Sequence, residues 1–368
     1  VACSLAGDDP LLRVSCTTDT ARALEGAAYV LNQVRVGGLE ARAFDESYPR
    51  ALGLPGEETV GPGGFANATR TVPAVLEYAR LMERVAPEAL FLNLANPSSL
   101  VQYAVSHYTT VGTLGLCDAP ISLVAAIAKA LNVPAGELVV EYLGMHHFGW
   151  VTGLWWRGKD VLPAALALAA EVAKDIDPAI VQAQGAIPGS YFRYVFHPDR
   201  MLAKQKGKRT RAEELLEVQS AMLADYDRQR APGEKPETLA KRGANWYRAI
   251  IAPVLAALIE GRYGKGPLSR FVLNVVNGQA VPWLPAEAIV EVPCLLEGGM
   301  VRPLVPRPVA QDIQALLQQN CAYEMLAVQA IVERDRGKAL RALLLNPLKL
   351  TYDQAAKALE QAWAQQGW

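Results

Sequence analysis

Apolar residues in the first half of the chain fall into short β-branched runs that alternate with longer stretches of helical spacing. Leu12-Arg-Val-Ser-Cys-Thr precedes Thr20-Ala-Arg-Ala-Leu-Glu, and Ala28-Tyr-Val-Leu leads into a Gly-rich turn. A helix over Val72 to Val85 comes before the apolar strand Ala89-Leu-Phe-Leu-Asn-Leu, and Val111-Gly-Thr-Leu-Gly-Leu comes before a helix starting near Ile121. This βα alternation predicts an α/β protein with a doubly wound, Rossmann-like parallel sheet. Ligands of such sheets bind at the carboxyl ends of the strands, where Asp19, Asn32, Asn96 and Cys117 stand.

From about residue 146 the pattern changes. Amphipathic helices are predicted around residues 209–231, 236–262 and 308–340, with a strand at Ala288-Ile-Val-Glu-Val-Pro-Cys. The expected organisation is a dinucleotide-type domain over 1–145 and a mixed α+β lobe over 146–368. Gln229 to Glu237, with two prolines and several charges, reads as an exposed loop. A dinucleotide domain normally opens with a strand, G-x-G-x-x-G and a helix. No such motif occurs, and the glycine clusters at 37–38 and 61–64 come late and with other spacing. The expectation is that the chain starts downstream of that unit.

Composition narrows the partners. Lys plus Arg number 36 against 37 Asp plus Glu, with no long run of one sign, so nucleic acid and anionic membranes find no docking field. The apolar stretches are short and broken by Pro or charge, and the first residues lack the features of an export signal. Five widely spaced cysteines argue for reduced thiols, and the expected compartment is the cytoplasm. Of four histidines, two are adjacent, His146 and His147.

Five segments carry the candidate chemistry: Asn32-Gln-Val-Arg-Val-Gly-Gly-Leu-Glu-Ala-Arg, Glu58-Thr-Val-Gly-Pro-Gly-Gly-Phe, Asn93-Leu-Ala-Asn-Pro, Gly115-Leu-Cys-Asp-Ala-Pro and Gly144-Met-His-His-Phe-Gly-Trp. Singly, each is compatible with a turn or cap. In this order, over nearly the whole chain, they resemble glycoside hydrolase family four. The resemblance implies a lactate/malate dehydrogenase-like fold and an NAD- and Mn-dependent glycosidase, of the 6-phospho-glucosidase or α-glucosidase type. It also implies a homodimer or homotetramer.

By that resemblance Cys117 and His147 hold the divalent ion, each following an apolar strand, with positions left open for a sugar. A thiolate is a soft ligand for Mn²⁺, so Fe²⁺, Co²⁺ and Ni²⁺ also come into consideration. His146 stands where the family usually has asparagine; contact with sugar hydroxyls and a neutral neighbour are both compatible with it. Tyr247, in Lys241-Arg-Gly-Ala-Asn-Trp-Tyr, is the candidate base, with a register that is open by one because the family often has tyrosine at Trp246 as well. Asp118 is the candidate acid; its position also suits a helix N-cap. Arg35, Glu58 and Asn96 match sugar-pocket positions, and Thr18, Asn32 and Gln33 match positions near the dinucleotide.

The implied mechanism oxidises C3 of the sugar with NAD⁺, removes the acidified C2 proton with metal assistance, eliminates the aglycone, adds water and returns the hydride. One departure bears on the substrate. Asn274-Val-Val-Asn-Gly has two valines where phospho-sugar members carry an arginine, which keeps open an unphosphorylated hexoside or another cation such as Arg193 or Lys206. Two further readings remain: a 2-hydroxy-acid dehydrogenase, and a non-catalytic sugar- or nucleotide-binding protein of the same fold.

Overall fold

The computed structural model describes residues 11–228, 234–242, 246–266 and 268–367. Three four- or three-residue strands, β1 (Tyr29–Asn32), β2 (Leu90–Asn93) and β3 (Thr113–Gly115), pair in parallel. The sheet does not stop there. Next in chain order come β4 (Leu138–Met145), β5 (Phe148–Trp156), β6 (Lys159–Asp160) and β7 (Ile187–Pro188). They are followed by β8 (Ser269–Val276), β9 (Ile289–Glu297) and β10 (Met300–Pro303). The ten strands make one sheet in the order β1-β2-β3-β8-β9-β4-β5-β6, with β10 on β9 and β7 on β5. The fold is therefore α/β with a mixed sheet: the parallel part carries the expected alternation, and antiparallel strands of the second half join it edge to edge where β8 pairs with β3.

Side chains of successive strand residues point to opposite faces, and here both faces are covered. Phe91 belongs to one apolar layer and Leu92 to the other, as do Ile289 and Val290. The first layer is built by helices Gly61–Val85, Ser98–Tyr108, Gln311–Glu333, Arg336–Leu345 and Tyr352–Ala364. The second packs helix Ala119–Leu131, residues 162–187 and helix Ala252–Arg262 against β4, β5, β8 and β9. Burial on two faces explains why the strands read as continuous apolar runs.

Several expectations meet corrections. Leu12 to Thr17 is not a strand; it runs exposed and joins no ladder of the described sheet, without which a strand is not stable. The helix expected from Val72 begins at Gly61 and contains the whole Gly-Pro-Gly-Gly segment. The 308–340 pattern divides in two, because Arg334 ends the first helix in the left-handed region and Asp335 caps the second through the Lys338 amide at 2.9 Å. The 236–262 pattern breaks into a 3₁₀ turn (Glu237–Arg242), a π-helical turn (Tyr247–Ile251) and helix Ala252–Arg262. Pro253 lacks an N–H and its ring crowds the carbonyl four residues back, and a wider turn accommodates both. Helix Arg211–Tyr226 starts as its sequence dictates, with Thr210 and Glu213 forming a capping box. Most of the loop read over 229–237, and residues 243–245 of the tyrosine segment, lie outside the described residues.

Glycines let the start of helix Gly61–Val85 press against neighbouring backbone. A Cβ on Gly64 would stand 2.1 Å from the Thr59 carbonyl oxygen, and one on Gly63 2.1 Å from that of Glu57. Beyond this turn one face of the helix stays buried as far as Met82, with Glu77, Arg80 and Arg84 exposed on the other, and Phe65 stacks on Trp363 at 5.8 Å. We expect Gly64→Ala to cost about 1–3 kcal/mol or more, because backbone must move to admit the methyl group. Urea unfolding reads it; an unchanged midpoint would contradict this packing.

Candidate active site

Because β1, β2 and β3 are parallel, their carboxyl ends open on one edge, and the residues following each strand converge there. Gln33, Val34 and Arg35 follow β1; Leu94, Ala95 and Asn96 follow β2; Leu116, Cys117 and Asp118 follow β3. All line one cleft of ≈ 340 Å³. The β4–β5 hairpin reaches the same edge and delivers His146 and His147 in its two-residue turn, where Met145 pairs with Phe148. His147 has φ 62, a conformation uncommon outside Gly and Asn and frequent at functional sites. Glu58, Arg42, Asn67, Tyr191 and Trp246 complete the wall.

Of the residues singled out in the sequence, Arg35, Glu58, Asn96, Cys117, Asp118, His146, His147 and Gln33 thus share one cavity. Tyr247 does not line it; its phenol donates to Gln33 Oε1 at the cavity's rim and is 41% exposed, while its neighbour Trp246 faces the cleft. Asn32 is buried beneath, donating to Asn93 Oδ1 at 2.8 Å. Thr18 is exposed in the segment before helix Thr20–Leu24 and away from the cleft wall. Asp118 occupies the N-cap position of helix Ala119–Leu131 without a side-chain cap, which leaves its exposed carboxylate turned to the cleft.

Cys117, His146 and His147 are buried, and their ligand atoms all lie within 4.8 Å of one another. His147 Nδ1 has no hydrogen-bond partner among the described residues. Burial pushes the Cys117 thiol up, helped by the Glu291 carboxyl beside it, pushes His146 down to about 3 and holds His147 low as well. The corner is therefore a neutral thiol and two neutral imidazoles, a soft sulfur and nitrogen donor set without a proton bound on the imidazole lone pairs. A divalent cation is the group that fits it, since it favours the thiolate and takes up the orphaned nitrogen.

The opposite wall of the cleft has a different charge plan. Glu58 is buried and forked between two guanidinium groups, Arg35 and Arg42, the latter at 2.9 Å. Arg42 also bonds Glu46 at 2.7 Å. With Glu46 counted, two guanidinium groups meet two carboxylates, so the wall is charge-balanced and offers guanidinium N–H donors to a hydroxyl-rich ligand. The Asn274–Gly278 stretch contributes nothing to this wall: Asn274 is inside the sheet, and Asn277 holds its own turn by bonding the carbonyls of Val281, Leu284 and Pro285. Arg193 lines two adjoining hollows and lies over the Tyr194 ring, and Lys206 is exposed just after helix Pro198–Gln205.

Two residues escaped the sequence reading. Tyr191 stacks on His147 at 3.8 Å and 10°, on the face opposite His146, and nothing in its local pattern marks it. Glu291 sits wholly buried in β9 beside Cys117, and burial raises its carboxyl to about 7. Its signal was present: a carboxylate inside an otherwise apolar strand asks for a reason.

The comparisons with known proteins bear on this geometry. The model of the family 4 glycosyl hydrolases matches residues 6–133, and the model of that family's C-terminal domain matches 142–349. The chain belongs to glycosyl hydrolase family 4. A Bacillus subtilis (strain 168) relative, named "Probable 6-phospho-beta-glucosidase", is 30% identical over 94% of this chain and 80% of its own. The 6-phospho-beta glucosidase of Thermotoga maritima, solved with NAD and glucose-6-phosphate, superposes with TM-score 0.84 at 27% identity, over 95% of this chain and 83% of that one. A 6-phospho-alpha-glucosidase from gut microorganisms, solved with NAD and Mn²⁺, gives TM-score 0.80 at 25% identity over 95% and 83%. This family 4 hydrolase therefore shares its fold with enzymes of both anomeric types, and no helix among its described residues is long and apolar enough to cross a membrane.

Behind the histidine pair a cavity of ≈ 20 Å³ is lined by Ser99, Asn320, Glu324 and His146 among others. Glu324 accepts from Ser99 Oγ at 2.7 Å and Asn320 Nδ2 at 3.0 Å, and burial raises its carboxyl to about 8. An unfolded glutamate ionises near its ordinary 4.5. The folded state therefore holds a proton that the unfolded state releases, and this contribution, complete below about pH 4.5, is lost as pH rises through 8. We expect Glu324→Gln to flatten the fall in unfolding free energy from about pH 5 to 8.5, by on the order of 3–4 kcal/mol at the alkaline end. Parallel profiles for the two proteins in urea titrations would show that Glu324 ionises normally.

Proposed function

We propose that this protein hydrolyses the O-glycosidic bond of a 6-phosphoglucoside by redox-assisted elimination, with NAD and a divalent cation, Mn²⁺ or a close relative. The observation that carries the reading is the convergence of Cys117, from the end of β3, with His147, from the β4–β5 turn, around an unpartnered buried nitrogen. Relatives crystallised with NAD, Mn²⁺ and glucose-6-phosphate support it.

When bound, NAD accepts and returns a hydride at C3, and the divalent ion stabilises negative charge developing on the sugar. Cys117 and His147 hold the ion at the floor of the cleft, and Tyr191 fixes the plane of the His147 ring by stacking on it. Asp118 Oδ, free of any cap, delivers a proton to the departing oxygen. Tyr247 Oη, which donates to Gln33 at the rim outside the cleft lining, is the candidate acceptor for the C2 proton, a role it fills only as the phenolate turned inward, with Trp246 lining the cleft beside it. Arg35 and Arg42, preset by Glu58, orient the sugar and its phosphate, and Asn96 supplies an amide to its hydroxyls. Residues up to 145 form the dinucleotide side of this arrangement, with Gln33 nearest the reacting end; residues from 146 close the sugar side. Asn32 acts from beneath, by bracing the β1 edge on Asn93. The protein works in the cytoplasm as a homodimer or homotetramer.

The test is hydrolysis of p-nitrophenyl α- and β-glucosides, each with and without 6-phosphate, by reduced protein with NAD⁺ and Mn²⁺, omitting each in turn. Release that needs both, with deuterium entering C2 in D₂O, is expected, and Cys117→Ser should lower kcat/KM at least about 100-fold. Net NADH accumulation on a 2-hydroxy acid would replace this reading with a dehydrogenase. Binding of a sugar or nucleotide without product would replace it with a receptor.

A further inference from the structure

His146 is not needed for the two-ligand arrangement just described, yet its place in the site is as constrained as that of His147. Both imidazoles are buried, at 6% and 7% exposure, and they stack at 3.8 Å with planes 23° apart. Tyr191 covers the far side of the pair. Among the described residues His146 makes ring contacts and no hydrogen bond, and it lines the cleft beside Cys117. Its ligand nitrogen faces the same corner as Cys117 Sγ and the His147 nitrogen, with no pair more than 4.8 Å apart. A tetrahedral ion about 2.0–2.3 Å from each donor spaces its donors roughly 3.3–3.8 Å apart. Closing all three donors on one ion therefore takes side-chain rotation that moves the donor atoms by roughly an ångström and turns the stacked imidazole planes so that their lone pairs converge.

We propose that His146 is a third protein ligand of the catalytic ion, making a Cys117–His146–His147 set that favours Co²⁺, Ni²⁺, Fe²⁺ or Zn²⁺ over Mn²⁺. This rests on the metal assigned under the proposed function and adds to it a change of selectivity. A thiolate with two imidazoles is a borderline-soft donor set, whereas Mn²⁺ stands lowest in the divalent affinity series and prefers carboxylate, carbonyl and water oxygens. The second imidazole also fills a coordination position that water or sugar would otherwise take, so the ion is held more tightly and keeps fewer exchangeable sites.

The test uses the full chain, freed of metal and titrated with Co²⁺. Thiolate-to-cobalt charge transfer reports binding at Cys117, ligand-field bands report coordination number, and X-ray absorption at the cobalt edge counts imidazoles. Two imidazoles in the unsubstituted protein, one in His146→Asn, and a loss of about 10- to 100-fold in Co²⁺ and Zn²⁺ affinity with Mn²⁺ affinity little changed, are expected. The imidazole count in the unsubstituted protein needs no variant and so does not depend on how His146→Asn folds. One imidazole there, with charge transfer intact, overturns this inference and leaves the two-ligand site standing. Absence of charge transfer overturns the metal site itself, and the proposed function with it.

Discussion

A single row of residues runs across the sheet just below the cleft, and the site depends on it. Successive backbone pairings link Asn32 to Asn93, Asn93 to Gly115, Gly115 to Asn274, Asn274 to Glu291, Glu291 to Gly144 and Gly144 to Gly149. Every member is an amide, a carboxyl or a glycine in a layer otherwise filled with aliphatic side chains. The polar members bond one another in part: Asn32 donates to Asn93, Asn274 donates to Glu291 at 2.9 Å, and Gln102 donates to the Asn274 carbonyl at 2.9 Å, while Gln102 Oε1, Asn274 Oδ1 and Glu291 Oε2 have no hydrogen-bond partner among the described residues. The glycines make the room. A Cβ on Gly115 would stand 2.4 Å from Gln102 Oε1, and one on Gly144 2.3 Å from the Gly149 Cα. Buried polar networks specify geometry because an unmade bond costs so much in a low-dielectric layer. Here the network locks the parallel strands to the antiparallel ones at the level where both present their catalytic ends.

That lock has an electrostatic side. Glu291 places a carboxyl raised to about 7 directly under the Cys117 thiol, and Tyr142 faces the same group. The floor of the site is thus rich in groups that are neutral when buried and become anionic when a cation arrives. The opposite wall is arranged the other way round, with Arg35 and Arg42 gathered on Glu58. A floor of buried thiol, imidazole and carboxyl groups and a wall of paired guanidinium and carboxylate groups thus face one cleft.

The histidine turn links these halves. The hairpin that carries it is anchored at Gly144 and Gly149 in the row, so a tight turn at 146–147 points both imidazoles into the cleft, and Tyr191 caps them. Stacking of three rings holds the imidazoles within a narrow angular range, and His147 Nδ1 has no hydrogen-bond partner among the described residues.

Much of this was already present in the chain. The βα alternation around Ala28, Ala89 and Val111 determined three parallel strands, and their open carboxyl ends determined where Asn96 and Cys117 would meet. These outcomes follow from short-range periodicity and from a general rule about sheets, both readable without coordinates. Asp19, expected at the same edge, instead caps helix Thr20–Leu24, and Asn32 lies beneath the cleft. The Thr210 capping box is as local, and as legible. What the tertiary structure decided is of another kind. Leu12 to Thr17 has strand-like residues and no ladder; the Gly61 segment looks like a turn and is a helix start pressed on the carbonyls of residues 57 and 59; and the pairing of β8 with β3 merges the two halves in one sheet. Tyr191 and Glu291 enter the site from 44 residues beyond His147 and from the far side of the second half. Contacts between residues so distant in sequence leave no periodic trace, because each is set by which surfaces meet when the layers close, and it is those contacts that stack the adjacent histidines in one buried corner beside Cys117.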